Sequence, residues 1–190
     1  MAGIFPFSDG FLGDAYMRII FLPTFWTVLA DFAAWFFFHL GASVLAQVMP
    51  DRLFAADRGL YRTRAWEREG HVWQTLFRVR SWKQKLPDGA LIMGRGYVKR
   101  TLQSSDSCEM ERFILESRRA ELAHLCGLMP AVLFFLWNPP AAGWLMILYA
   151  IAANFPCLIA QRYNRPRFQK ILALQRKRST ESESIQEQGE

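Results

Sequence analysis

The sequence predicts an all-α integral membrane protein, with about three transmembrane helices and a basic, interfacial cytoplasmic region between the first and second. Three observations predict it. The 190-residue chain contains three apolar blocks, Phe25 to Val48, Ala120 to Trp137 and Trp144 to Ala160. Each approaches or exceeds the roughly 20 residues that a helix needs to cross a hydrocarbon core. The charge is also segregated: 15 Lys and Arg lie in 51–119 and 7 follow Ala160, whereas a lone Arg18 precedes the first block. The third observation is that prolines punctuate the blocks, at Pro23 and at Pro139–Pro140.

Residues 1–24 form an N-terminal interfacial segment, its apolar "MRIIFLPTF" set off from the first span by Pro23. The first transmembrane helix, 25–48, holds Asp31 and His39 but no Lys or Arg. It is longer than a signal-peptide core, and no basic stretch precedes it. The cytoplasmic interfacial region, 49–119, is too small for a large core of its own. Its "HVWQTLFRVRSWKQKLPDGALI" mixes aromatic and basic residues as an interfacial segment does. Ser107 starts a helix there, with Glu109 and Glu111 in the first turn, that runs into the second span. A transmembrane hairpin, 120–160, turns tightly at Asn138–Gly143, and Asn154 and Pro156 break its second arm. A basic juxtamembrane segment, 161–178, leads into a polar tail, 179–190, expected to be disordered. The positive-inside bias puts the N-terminus outside and the C-terminus in the cytoplasm of a multi-pass bacterial cell-membrane protein.

The net charge of +6 suits either nucleic acid or an anionic membrane. The apolar blocks decide for the membrane and exclude nucleic acid as a partner. Three cysteines without a CxxC spacing argue against a disulfide framework or a zinc site. There is no GxSxG, and none of His39, His71 and His124 is followed five positions on by an acid, so a covalent acyl-enzyme is not indicated.

Chemistry concentrates in "ESRRAELAHL", 116–125. On a helix Glu121 and His124 are i, i+3 neighbours, so the imidazole can act as a general base with a carboxylate to orient it. Glu116 lies earlier on the same helix, and Arg118 and Arg119 can fork onto a phosphate or carboxylate. These charges can equally sit at the interface and pair with one another. Metal ligation by Glu-x-x-His needs a second such pair and two further glutamates, and the chain has one pair. Asp31 and His39 share a side of the first span, with a structural role near the outer interface as the competing reading of Asp31. Asp88, in a Pro-Asp-Gly turn, either satisfies turn amides or supplies a catalytic carboxylate. "QRYNRPR", 161–167, interleaves cations with hydrogen-bonding groups, unlike a plain lipid-attracting run.

"RVRSWKQKLPDGA", "ILESRRAELAHL" and "YAIAANFPCLIAQRYNRPRF" resemble three blocks of the glycosyl-4,4'-diaponeurosporenoate acyltransferase family. Those are small bacterial membrane proteins of staphyloxanthin-type carotenoid synthesis. The likeness covers roughly Leu53 to Leu172. It implies transfer of a fatty acyl chain to a sugar hydroxyl of a glycosylated carotenoid or lipid at the cytoplasmic membrane face. Carried over, His124, Glu121, Asp88 and Glu116 would be catalytic. Trp82, Lys83, Arg118, Arg119, Asn154, Gln161, Arg162, Tyr163, Asn164, Arg165 and Arg167 would bind substrate, with Gly89 also shared. His124 would take the hydroxyl proton, oriented by Glu121 or Asp88, while Arg119, Arg162, Arg165 and Arg167 hold donor phosphates. Where the family commonly reads His-Trp, this chain has His124-Leu125. No metal or other cofactor is implied. The expected co-substrate is an acyl-CoA or acyl-carrier donor, and the acceptor a membrane lipid or glycosylated isoprenoid. The competing function is a non-enzymatic lipid-binding or assembly subunit of a membrane lipid pathway.

Overall fold

A computed structural model of the chain describes residues 18–86 and 107–187. Among these, the regular elements are all helical: α1 (Thr24–Val48), α2 (His71–Phe77), α3 (Ser107–Leu128) and α4 (Pro140–Glu187), joined by 3-10 turns. Three stretches are long and apolar enough to cross a membrane: Thr24–Val48, Ser107–Leu136 and Pro140–Glu181. The chain forms two compact units, residues 1–44 with 123–155, and residues 45–122 with 156–190.

In the first unit, α1 leaves Phe25, Phe32, Phe36 and Phe37 exposed. In lipid that surface needs no protein partner, and a helix keeps its backbone bonds internal, as hydrocarbon demands. Trp35, by contrast, is buried and stacks on Phe134 with ring centroids 4.6 Å apart. Ala131 and Ala150 complete this core, their small side chains permitting close approach. Trp35 Nε1 donates to Met146 Sδ at 3.3 Å.

The expected single α-helix over 120–137 is instead α3 to Leu128 followed by a 3-10 stretch, Met129–Leu136. Pro130 is the physical reason: it lacks the N–H that would continue the α-helical ladder. The turn is also shorter than the expected Asn138–Gly143. It spans Trp137 to Pro139, and Pro140 opens α4, a position where a missing N–H costs nothing. Asp31 Oδ1 accepts from Trp137 Nε1 and from Asn138 Nδ2, both at 2.7 Å, and so ties α1 to this turn.

In the second unit, the 3-10 turns of 51–85 are tied to α3 through Arg118 and to α4 through Arg162 and Tyr163, and Trp73 of α2 packs against Ile159 and Tyr163 of α4. Val79, Ile159 and Tyr163 are buried together, with Trp73 and Trp82 against them. α4 passes Pro156 and Pro166 without the break expected at Asn154–Pro156. One proline costs the helix about 3 kcal/mol, whereas opening it in apolar surroundings would orphan several backbone groups. The expected disordered tail is likewise helical through Glu187. Ser179 and Thr180 hydroxyls donate back to the carbonyls of Gln175 and Arg176, and Lys177 lies 3.7 Å from Glu181 one turn on.

Candidate active site

The charges of 116–121 and 161–167 are held mainly by the protein itself. Glu121 is 2% exposed. Its Oε1 accepts from Arg162 Nε and its Oε2 from Arg165 Nη1, each at 2.6 Å. Arg162 Nη1 also donates to Glu67 Oε1 at 3.0 Å, and Trp73 Nε1 donates to Glu67 Oε2 at 3.2 Å. Arg165, fully buried, donates to the Tyr61 carbonyl at 3.1 Å. Arg162 reaches the carbonyls of Leu60 and Arg62.

Arg118 donates to the Phe54 and Ala55 carbonyls at 2.7 and 3.0 Å, and lies 3.4 Å from Asp57. Arg119 donates to the Ala46 and Met49 carbonyls at 2.6 and 2.9 Å and pairs with Asp51. Its Nε is 3.3 Å from Glu116 Oε2, and its guanidinium stands 4.6 Å over the Phe54 ring. Sequence reasoning assigned Arg118, Arg119, Arg162 and Arg165 to substrate. Their observed bonds run to carboxylates and to the carbonyls of 46–62. Glu121, expected to orient His124, gives both oxygens to arginines. Glu69, exposed beside Lys170, is held below its ordinary carboxylate pKa chiefly by the hydrogen bond from Lys170 Nζ at 2.8 Å.

A different group holds the imidazole. His124 Nδ1 is 3.1 Å from Asn154 Oδ1. Asn154 Nδ2 donates to the Ala150 carbonyl at 2.9 Å, which fixes the amide so that its oxygen faces the ring. An amide oxygen can only accept, so Nδ1 carries the proton and Nε2 holds the lone pair of the neutral ring. Gly127 makes room for this arrangement. A methyl there would stand 3.0 Å from Asn154 Oδ1 and 3.3 Å from His39 Nδ1. His39 in turn stacks on Trp35, with centroids 5.2 Å apart.

A third cluster surrounds Tyr163. Arg80 Nε donates to its Oη at 2.8 Å, and Arg167 Nη1 donates to its carbonyl at 2.6 Å. Lys83 Nζ donates to Asn164 Oδ1 at 2.7 Å. Trp82 Nε1 donates to the Phe77 carbonyl at 2.7 Å, and Gln161 is half-buried on α4. Asp88 and Gly89 lie outside the described residues. Sequence reasoning missed the His124–Asn154 bond, Glu67 and Arg80. Thirty residues separate the first pair, so no helical spacing links them. Glu67 carries no sequence signal beyond charge itself, whereas Arg80 lies within the quoted block "RVRSWKQKLPDGA" and was passed over for Trp82 and Lys83.

Three helices able to span a membrane define an α-helical membrane protein, and an imidazole set by an amide lies among them. Residues 57–174 match the family described as glycosyl-4,4'-diaponeurosporenoate acyltransferase. The chain is 34% identical over 144 residues to the protein of that name from Staphylococcus aureus strain bovine RF122 / ET3-1, covering 76% of this chain and 87% of the relative. It is 33% identical, at the same coverage, to that of strain USA300. No solved structure matches it. The chain belongs to the glycosyl-4,4'-diaponeurosporenoate acyltransferase family and is an acyltransferase, as the resemblance of its three motif blocks implied.

Proposed function

We propose that the protein transfers a fatty acyl chain from a thioester donor to a sugar hydroxyl of a glycosylated carotenoid or related glycolipid, at the cytoplasmic face of the bacterial cell membrane. The hydrogen bond between His124 and Asn154 carries this reading. It leaves Nε2 as the basic nitrogen of a neutral imidazole, and it does so in an apolar helix bundle suited to an amphiphilic acceptor. Nε2 takes the hydroxyl proton as the oxygen attacks the acyl carbonyl carbon. The tetrahedral centre collapses, the carbon–sulfur bond breaks, and the imidazolium returns its proton to the departing thiolate. An ester and a free thiol result, and no metal is required for the balance.

The cytoplasmic orientation is supported by the Lys and Arg of 51–119 and 161–178, against a single Arg18 before the first span. The glycosylated carotenoid is the acceptor in the relatives' name, and a glycolipid with the same sugar hydroxyl offers the same chemistry. The test uses purified protein in lipid, radiolabelled fatty acyl-CoA and a lipid extract of the source organism. A new labelled lipid is expected, with the rate falling about 10²–10⁴-fold in His124→Ala. An unchanged rate in that variant would remove His124 from the chemistry. Absence of any product, with intact donor and extract, would overturn the reaction itself.

A further inference from the structure

The first unit contains two imidazoles, His39 on α1 and His124 on α3. An ionisable group inside a membrane span is costly unless it is partnered or used. Asp31 is partnered by Trp137 and Asn138, and His124 by Asn154. Neither ring nitrogen of His39 makes a hydrogen bond to a described residue. The ring is nonetheless fixed. It stacks on Trp35 with centroids 5.2 Å apart and planes 21° apart, and Tyr149 meets its edge at 6.5 Å. Trp35 is itself buried, stacked on Phe134 and bonded to Met146.

Position singles His39 out. A Cβ on Gly127 would stand 3.3 Å from His39 Nδ1 and 3.0 Å from Asn154 Oδ1, the atom beside His124 Nδ1. The bare glycine therefore borders one imidazole and the partner of the other. The two rings are set differently. Asn154 Oδ1 holds the His124 proton on Nδ1 and leaves Nε2 basic. No described acceptor holds a proton on His39 Nδ1, which faces Gly127. Nε2, on the other side of this half-buried ring, then carries the N–H. One imidazole is set to take a proton and the other to donate a hydrogen bond.

Acyl transfer needs that second function. As the hydroxyl oxygen attacks, charge moves onto the acyl carbonyl oxygen, and a donor aimed at it is usually the largest single contribution to catalysis. Backbone N–H groups often serve, but those of a spanning helix are committed to the helix itself, which leaves the task to a side chain. We propose, resting on the acyl-transfer reading above, that His39 is a second catalytic residue, whose Nε2–H donates to the acyl carbonyl oxygen while His124 Nε2 takes the hydroxyl proton. The His39 proton stays on its ring throughout. The bond tightens as the oxyanion forms and relaxes when the carbon–sulfur bond breaks, so the balance of the reaction is unchanged. Trp35 and Tyr149 hold the donor ring, and Gly127 gives both imidazoles their space.

The test is turnover of radiolabelled fatty acyl-CoA into lipid by purified full-length variants supplied with the lipid extract. His39→Phe keeps a ring against Trp35 and removes the N–H. It should lose about 10²–10³-fold in kcat, the effect of removing one oxyanion donor, and keep its thermal midpoint. His39→Gln, whose amide nitrogen reaches as far as Nε2, should recover at least about tenfold over His39→Phe. His39→Asn, whose amide reaches only to Nδ1, should not. A packing role predicts the reverse order, with phenylalanine active and glutamine impaired, and that order would overturn the proposal. Equal loss in the glutamine and phenylalanine variants would overturn the donor role as well. A cycle with His124→Ala separates donation to substrate from action through the base. His39→Phe should still lower the residual rate of His124→Ala at least about tenfold, because oxyanion stabilisation outlasts the loss of the base. No further loss would make His39 a group acting through His124 and overturn its contact with substrate. No product from wild type, with intact donor and extract, would sink the acyl-transfer reading and this inference together. Product from wild type with an unimpaired His39→Phe would sink the inference alone.

Discussion

Asn154→Ala isolates the group that sets the imidazole. The variant removes the acceptor 3.1 Å from His124 Nδ1 and leaves the ring in place. A neutral hydrogen bond contributes about 1 kcal/mol, so its loss alone lowers the population of correctly placed ring and tautomer about fivefold. A ring freed to drift by an ångström adds up to about 10²-fold. The expected fall in kcat is therefore between about 5-fold and 100-fold, with KM little changed, because Asn154 acts through the base. Turnover of labelled acyl-CoA into lipid, measured in a double-mutant cycle with His124→Ala, checks it. The double variant should be no slower than His124→Ala alone, since a positioning group is silent once its base is gone. A further loss in the double variant, equal to that in the single one, would refute the argument. Asn154 would then act on substrate independently of His124.

Gly127→Ala should lower kcat without unfolding the protein, because its methyl would come within 3.0 Å of Asn154 Oδ1 and force the amide to move; gel filtration and turnover report the two effects separately. Gly70→Ala should destabilise the second unit by about 1–3 kcal/mol. Gly70 has φ of +83°, and a Cβ there would stand 2.9 Å from the Tyr163 carbonyl, so the thermal midpoint in detergent should drop. Glu121→Ala strips Arg162 and Arg165 of their shared carboxylate and should cost about 3–5 kcal/mol, read as loss of the folded, monodisperse species. A Glu121→Ala protein that kept its thermal midpoint but lost activity would restore Glu121 to the chemistry.

The spanning helices were legible because lipid imposes a length and a composition that few other structures share. The block Phe25 to Val48 differs from α1 by one residue at its start. His124 was legible as a candidate base because an imidazole deep in an apolar block is costly without a use. Its partner was not legible. Glu121 sits at the right helical spacing, and sequence periodicity favours near neighbours over Asn154, thirty residues on. The helix through Pro156 was misread for a related reason. Proline is scored by its local cost, whereas the alternative cost, exposed backbone in hydrocarbon, belongs to the surroundings.

The partners of the arginines were not legible because the groups that bind them carry no sequence signature at all. Between Ala46 and Arg62 the chain leaves α1 and passes through short 3-10 turns, so many of its carbonyls lack an α-helical partner. Eight of them, those of Ala46, Gln47, Met49, Phe54, Ala55, Leu60, Tyr61 and Arg62, accept from Arg118, Arg119, Arg162 and Arg165. The carbonyls of Ala46 and Gln47 belong to the last turn of α1, where a cation is also favoured by the helix dipole. Carboxylates from Asp51, Asp57, Glu67 and Glu121 then neutralise the guanidiniums. Lysine could balance those charges but could not fork to two or three carbonyls at once. An irregular segment beside a membrane helix thus explains why costly guanidiniums and carboxylates crowd the start of a span. They satisfy backbone that the fold has no secondary structure to satisfy.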